Sequence, residues 1–191
     1  GALIAEGGLP PGGVYTIGTD AADRRLAFFL LQSQMNRGSG RIVPLGNLSS
    51  RMKEAIKTAD AYLKANLRNL GIDHDLKGYD FTIQAINLNQ AKEGSETAVA
   101  FFVSMVSAIL GKPVQDQTVV LGEMSIQGML LKVASLPERM QLAVESGAKR
   151  ILIPSENKRD VADIPDAILT AIQWQFYDSP TKAAIMAMGL A

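Results

Sequence analysis

The chain has no cysteine, a single histidine and no net charge, its 19 basic side chains balancing 19 acidic ones. Each shortage closes a class of function. Without cysteine there is no disulfide, no thiolate nucleophile and no Cys-ligated zinc. One histidine, His74, is too few for a His-rich metal site and leaves no Ser-His-Asp triad unless His74 itself takes part. Zero net charge argues against a strongly electrostatic nucleic-acid binder. The longest apolar run, residues 97–110, is too short to span a bilayer. No G-x-x-x-x-G-K-S/T pattern occurs, so Gly12-Gly13 and Gly38-Ser39-Gly40 are not phosphate loops.

What is present is ordinary globular material. Hydrophobic residues make up 47% and charged residues 20% of 191 positions, enough for one good-sized core. Residues 1–12 read as a flexible, glycine-rich lead-in without the basic start and apolar centre of a signal peptide. They suggest a piece of a larger protein whose partner region lies upstream.

Strand character marks residues 14–17, 26–35 and 41–44, with a turn at 37–40. Ser49 or Ser50 can cap a helix in which Met52, Ile56, Ala59, Leu63, Leu67 and Leu70 recur at helical spacing before Gly71 stops it. In the strand 79–88, Tyr79, Phe81, Ile83 and Ala85 share a face, whereas Ile86 and Leu88 fall on the other. That switch implies a bulge or a strand covered on both sides. A helix over 97–110 closes at Gly111, and 117–121 and 129–133 read as paired strands. Ser135-Leu136-Pro137-Glu138 has capping-box spacing, at the head of a helix with Met140 and Val144 inward that ends at Gly147. A short strand at 150–153, a charged loop at 157–160 and closing helices at 165–176 and 180–190 complete the chain. The fold class is α+β, a single domain with mixed sheets and about five helices.

Ala91-Lys92-Glu93-Gly94-Ser95-Glu96-Thr97-Ala98 matches the frame of a family pattern, P-K-D-G-P-S-A-G. An apolar helix follows, then Gly111-Lys112-Pro113-Val114, then Leu121-Gly122-Glu123-Met124-Ser125-Ile126-Gln127-Gly128, then residues 147–160 and Ile164-Pro165. In this order and nearly without gaps, residues 13–191 resemble the proteolytic domain of the Lon family of ATP-dependent proteases. Gly111–Gln115, residues 119–122, Met124-Ser125, residues 147–150 and Phe176-Tyr177-Asp178-Ser179-Pro180 are also similar to the Lon-like members of BREX phage-defence systems. In that group an AAA+ ATPase region precedes a Lon-like domain with altered protease residues.

The resemblance implies where the chemistry belongs. The family's nucleophilic serine falls at Glu96, its partner lysine at Arg139, and its supporting threonine at Leu121. A Ser-Lys mechanism needs a hydroxyl and a neutral amine. Arg139 stays protonated and offers no lone pair, and Glu96 would at best activate a water. Because the family geometry brings the two positions together, Glu96 and Arg139 are expected to form a salt bridge. No catalytic residue is therefore assigned, with Ser95 as a weak alternative nucleophile. One step along a helix turns a side chain by about 100°, so Ser95 should miss the site and hydrogen-bond at the helix entry instead.

Other candidates have plainer readings. Ser125 reads as loop or strand structure, Ser135 as an N-cap, and Lys92 and His74 as solvated loop residues. Lys132 lies on a strand with little reach to the old site. Lys149-Arg150 with Lys158-Arg159 reads as a solvated basic face, and the methionines, Met186 and Met188 among them, mostly as core filler with some at a subunit interface. The enzyme question stays open: serine-peptidase descent, with chemistry expected to be lost. The expected role is ring assembly in a BREX-type protein; the alternative is an active ATP-dependent endopeptidase using non-standard residues. A third reading is a module that holds unfolded segments without cutting them. No cofactor is expected here, with ATP bound only by the upstream region. The expected partners are copies of the chain in a hexameric ring, and polypeptide or DNA through the full assembly, without a membrane. The expected compartment is the cytoplasm.

Overall fold

A computed structural model describes residues 2–46, 48–73 and 75–190. His74 lies outside them. The strands are β1 (Gly13–Asp20), β2 (Arg25–Arg37), β3 (Ile42–Leu45), β4 (Tyr79–Asn87), β5 (Thr118–Val120), β6 (Glu123–Met124), β7 (Leu130–Leu131), β8 (Arg150–Pro154) and β9 (Gln173–Tyr177). The α-helices are α1 (Ser50–Ala65), α2 (Ala98–Leu110), α3 (Leu136–Glu145), α4 (Asp166–Ala171) and α5 (Pro180–Ala187). Seven strands form one mixed sheet, ordered β3-β4-β2-β1-β5-β8-β9, and β6-β7 is a separate hairpin. The β4-β2-β1 half is antiparallel, and β1-β5-β8-β9 is parallel.

Two apolar layers enclose this sheet. One packs α1, α2 and α5 against Val14, Phe29, Leu31, Phe81 and Ile83. The other packs α3 and its neighbours against Tyr15, Ile17, Phe28, Val119 and Ile151. Adjacent residues of β2 thus serve opposite cores, which is why it reads as a continuous apolar run rather than an alternation. The same cover explains the face switch after Ala85. The β2–β4 register runs unbroken from Asn87 to Tyr79, so there is no bulge, and Leu88 packs into the second layer.

Several local expectations change. Helix α1 ends at Ala65 because Asn66 turns its side-chain amide onto the Tyr62 carbonyl; Gly71 instead closes a separate 3-10 turn, at φ 69°. Residues 118–120 do not pair with 129–133: β5 lies between β1 and β8, and β7 pairs with β6. The helix expected over 165–176 stops at Ala171, and Gln173–Tyr177 pairs along β8 as an edge strand. Asn157 is no charged-loop residue. It is buried in a 3-10 helix, exchanging hydrogen bonds with the backbone of Val133.

Residues 2–12 form no helix or strand, yet they lie on the domain. The Ile4 side chain is buried and its N–H donates to the Ser146 carbonyl. Gly12 donates to Ser107 Oγ and accepts from Ser104 Oγ and Ser33 N–H. A Cβ at Gly12 would stand 2.1 Å from the Ser33 carbonyl oxygen, so only glycine allows this approach.

Candidate functional site

The site forms where β1, the turn before α2 and the head of α3 converge. Ser95 and Thr19 exchange backbone hydrogen bonds as an isolated antiparallel bridge, which seats the turn on β1. Gly18 permits this, since a Cβ there would come within 2.6 Å of the Ser95 carbonyl oxygen. Helix α2 begins only at Ala98, so Ser95 and Glu96 precede it. The Ser95 hydroxyl therefore has no helix-entry role; it donates to the Thr19 carbonyl. Glu96 takes a left-handed backbone at φ 64°, and Ser135 on the facing segment does so at φ 57°. For residues with a Cβ this costs on the order of 1–2 kcal/mol each, which neighbouring structure must offset.

That offset is a closed polar network. Arg139 Nη2 lies 2.7 Å from Glu96 Oε1 and donates also to Thr19 Oγ1 at 2.7 Å. The Thr19 hydroxyl in turn donates to Glu96 Oε1 at 2.7 Å, and Ala134 N–H donates to Glu96 Oε2 at 3.0 Å. Arg139 Nη1 and Nε donate to the carbonyls of Ile17 and Ala134, both at 2.6 Å. Every nitrogen of the guanidinium is thus engaged. The Arg139 side chain is 0% exposed and that of Glu96 21%. Burial lowers the Arg139 pKa, and the Glu96 charge works the other way, holding the guanidinium charged.

Leu121 is fully buried in the apolar layer with Ile17, Leu136 and Met140, so no hydroxyl supports the pair from there. Ser135 heads α3, but its left-handed backbone leaves its side chain without a capping bond. Ser125 closes the β6-β7 turn, its hydroxyl accepting from Met129 N–H. Lys132 is exposed and joins no ion pair among the described residues. Lys92 contributes its backbone N–H to Asp20. Lys149-Arg150 lie where β8 begins, and Lys158-Arg159 in the 3-10 helix that follows its far end, with the strand's length of about 13 Å at ~3.3 Å per residue running between. The described residues hold no cluster of metal-ligating side chains, and none of their helices is long and apolar enough to cross a membrane.

Sequence reasoning missed Thr19, the hydroxyl shared by both charges. Nothing local marks it, because its role depends on β1 passing under the turn. It also passed over Glu123, whose carboxyl pKa is raised by burial and further by the Glu96 charge, against opposing backbone N–H groups led by Met124. Tyr177, whose phenol donates to the Leu121 carbonyl, is pushed up by burial in the same region.

Comparison with known proteins sets this geometry in a lineage. The chain is 31% identical over 192 residues to the Lon-like protease BrxL of Escherichia coli O9:H4 (strain HS), covering 100% of this chain and 28% of that protein. It is 32% identical over 191 residues to its counterpart in Bacillus cereus (strain H3081.97), again with 28% of the relative covered. It is 33% identical over 144 residues to the Lon protease of Azorhizobium caulinodans, covering 75% of this chain and 17% of that one. The chain therefore spans less than a third of the length of the curated relatives it matches. Residues 26–188 match the Lon protease (S16) C-terminal proteolytic domain, and the chain belongs to that family.

Proposed function

We propose that this domain has exchanged peptide hydrolysis for a structural role, organising the ring of an ATP-dependent, BREX-type phage-defence protein. The observation that carries the first half is the state of Arg139. A base must accept a proton, and a buried guanidinium donating through all three nitrogens has no lone pair to accept one. Glu96 is equally committed, with both oxygens bonded inside the protein. Neither group is free to activate a nucleophile.

The assembly half rests on the β6-β7 hairpin. Ile126, Met129 and Leu131 are 61%, 63% and 43% exposed on one short hairpin, whereas most large apolar side chains are buried. Such grouping marks a contact surface. Copies of the chain are the occupants this reading assigns, in a six-membered ring whose motor and ATP site lie in an AAA+ region outside this chain. Polypeptide or DNA would be engaged by the whole cytoplasmic assembly.

Two measurements test these halves separately. Casein or a fluorogenic peptide, incubated with the domain or the full-length protein with and without ATP, should remain uncut. Cleavage that disappears in Glu96→Ala would overturn the inactive reading. In sedimentation of the full-length protein, Ile126→Ser/Met129→Ser should shift rings toward smaller species by at least about tenfold in association constant, roughly the effect of exposing two apolar side chains. Unchanged ring formation would remove the hairpin from the interface.

A further inference from the structure

Beside the ion pair lies a second carboxylate that Arg139 does not neutralise. Glu123 opens β6 and is half-buried, its Oε1 accepting the Met124 N–H at 2.9 Å. It lines a cleft of about 400 Å3 together with Ala55, Thr58, Ser95, Met124 and Leu131. Among the described residues it forms no ion pair. Arg51 and Glu54 stand at the mouth of the cleft on exposed positions of α1, and their opposite charges leave its net sign to Glu123.

A half-buried anion beside apolar walls is a poor resting state. Water is partly withdrawn and the Glu96 charge adds repulsion, the two causes that raise the Glu123 pKa, while the backbone N–H groups of Met124, Ala98 and Glu96 offset them only in part. A ligand cation reaching the carboxylate would offset both. Its stem would meet Met124, Leu131 and Ala55, which favour a hydrocarbon chain. The shape of the cation follows from the carboxylate. One oxygen is already held by Met124 N–H, so a bidentate approach by a planar guanidinium fork is disfavoured, whereas a compact ammonium needs a single contact.

We propose that this cleft binds an alkylammonium group, its charge on Glu123 and its methylenes on Met124 and Leu131. The side chain of a lysine and a free diamine share that chemistry. The site does not depend on whether the domain cleaves peptides; its Leu131 wall also belongs to the hairpin assigned to the ring contact.

The test uses the isotopically labelled chain and amide chemical shifts at neutral pH. N-acetyl-lysine N-methylamide should give saturable shifts at Ser95, Met124 and Leu131. N-acetyl-norleucine N-methylamide, which keeps the stem and lacks the charge, should bind about tenfold more weakly, the usual worth of one charge-assisted hydrogen bond. Glu123→Gln should erase that preference, and Glu145→Gln, on an exposed position of α3 in the other layer, should leave it intact. Cadaverine shifting the same amides more strongly than the lysine derivative would assign the site to free diamines, and the reverse order to polypeptide lysines. Norleucine binding as well as lysine, tighter binding of N-acetyl-glutamate N-methylamide, or no saturable shift in the unaltered chain would each overturn the proposal. Those comparisons need no variant, so they stand even if Glu123→Gln misfolds.

Discussion

Glu96→Ala and Arg139→Met should each lower the stability of the domain by about 3–5 kcal/mol, because each breaks a buried ion pair and strands its survivor. The two losses differ in kind. Without Glu96, a guanidinium at 0% exposure keeps its charge among neutral partners, and it has no accessible neutral form to escape into. Without Arg139, the Ile17 and Ala134 carbonyls lose their donors, whereas the carboxylate still receives Thr19 and Ala134. The double replacement removes both charges together and should fall short of the summed single effects by about 2–3 kcal/mol, the coupling expected of contacting charged residues. In a domain of this size 1 kcal/mol moves the melting temperature by roughly 2–4 °C, so each single variant should melt lower by about 6–20 °C. Urea titrations with an unchanged slope would confirm that stability, and not the unfolded state, has moved. Additive losses would mean that Arg139 acts as packing and as a donor to carbonyls, with the ion pair contributing little.

The same pair shows how much could be read before any coordinates. Its two positions were legible because a family frame fixes which residues face each other, and opposite charges there leave few arrangements. The helix α2, its Gly111 stop and the strand runs β1, β2 and β4 were legible because local period and turn chemistry decide them. What failed was what the sheet decides from a distance. Ile168, Leu169 and Ile172 keep helical spacing up to the true boundary, and no glycine or proline marks the change. Only the free edge of β8 makes Trp174 and Phe176 alternate as strand residues. Ser135 met the capping-box spacing and lost its cap because its own backbone is left-handed, next to the Ala134 N–H that bonds Glu96. Thr19 carried no signal at all until Arg139 and Glu96 were brought against it.

The largest functional change should come from restoring what that network displaced. Glu96→Ser/Leu121→Thr/Arg139→Lys is expected to cleave casein, or a fluorogenic peptide, where the parent chain does not. The frame should survive the exchange. The turn is held to β1 by the backbone bridge between Thr19 and Ser95, and not by the Glu96 side chain alone. Contact between positions 96 and 139 is already given by the 2.7 Å ion pair. The burial that lowers the Arg139 pKa acts in the same direction on an amine, whose ordinary pKa is lower and whose neutral form carries the lone pair a base needs. A threonine at 121 would add a hydroxyl to what is now apolar core. Single replacements should stay silent for separate reasons. A serine facing Arg139 has no base, and a lysine facing Glu96 is held protonated by the carboxylate. General-base assistance contributes typically ~10²–10⁴-fold, so the triple variant should exceed Glu96→Ser/Leu121→Thr by that range. Labelling of the introduced serine by a fluorophosphonate would show a reactive nucleophile independently of substrate fit. A well-folded triple variant that neither labels nor cleaves would place the loss elsewhere, as in the left-handed turn at position 96. The ion pair would then be a consequence of inactivity rather than its cause.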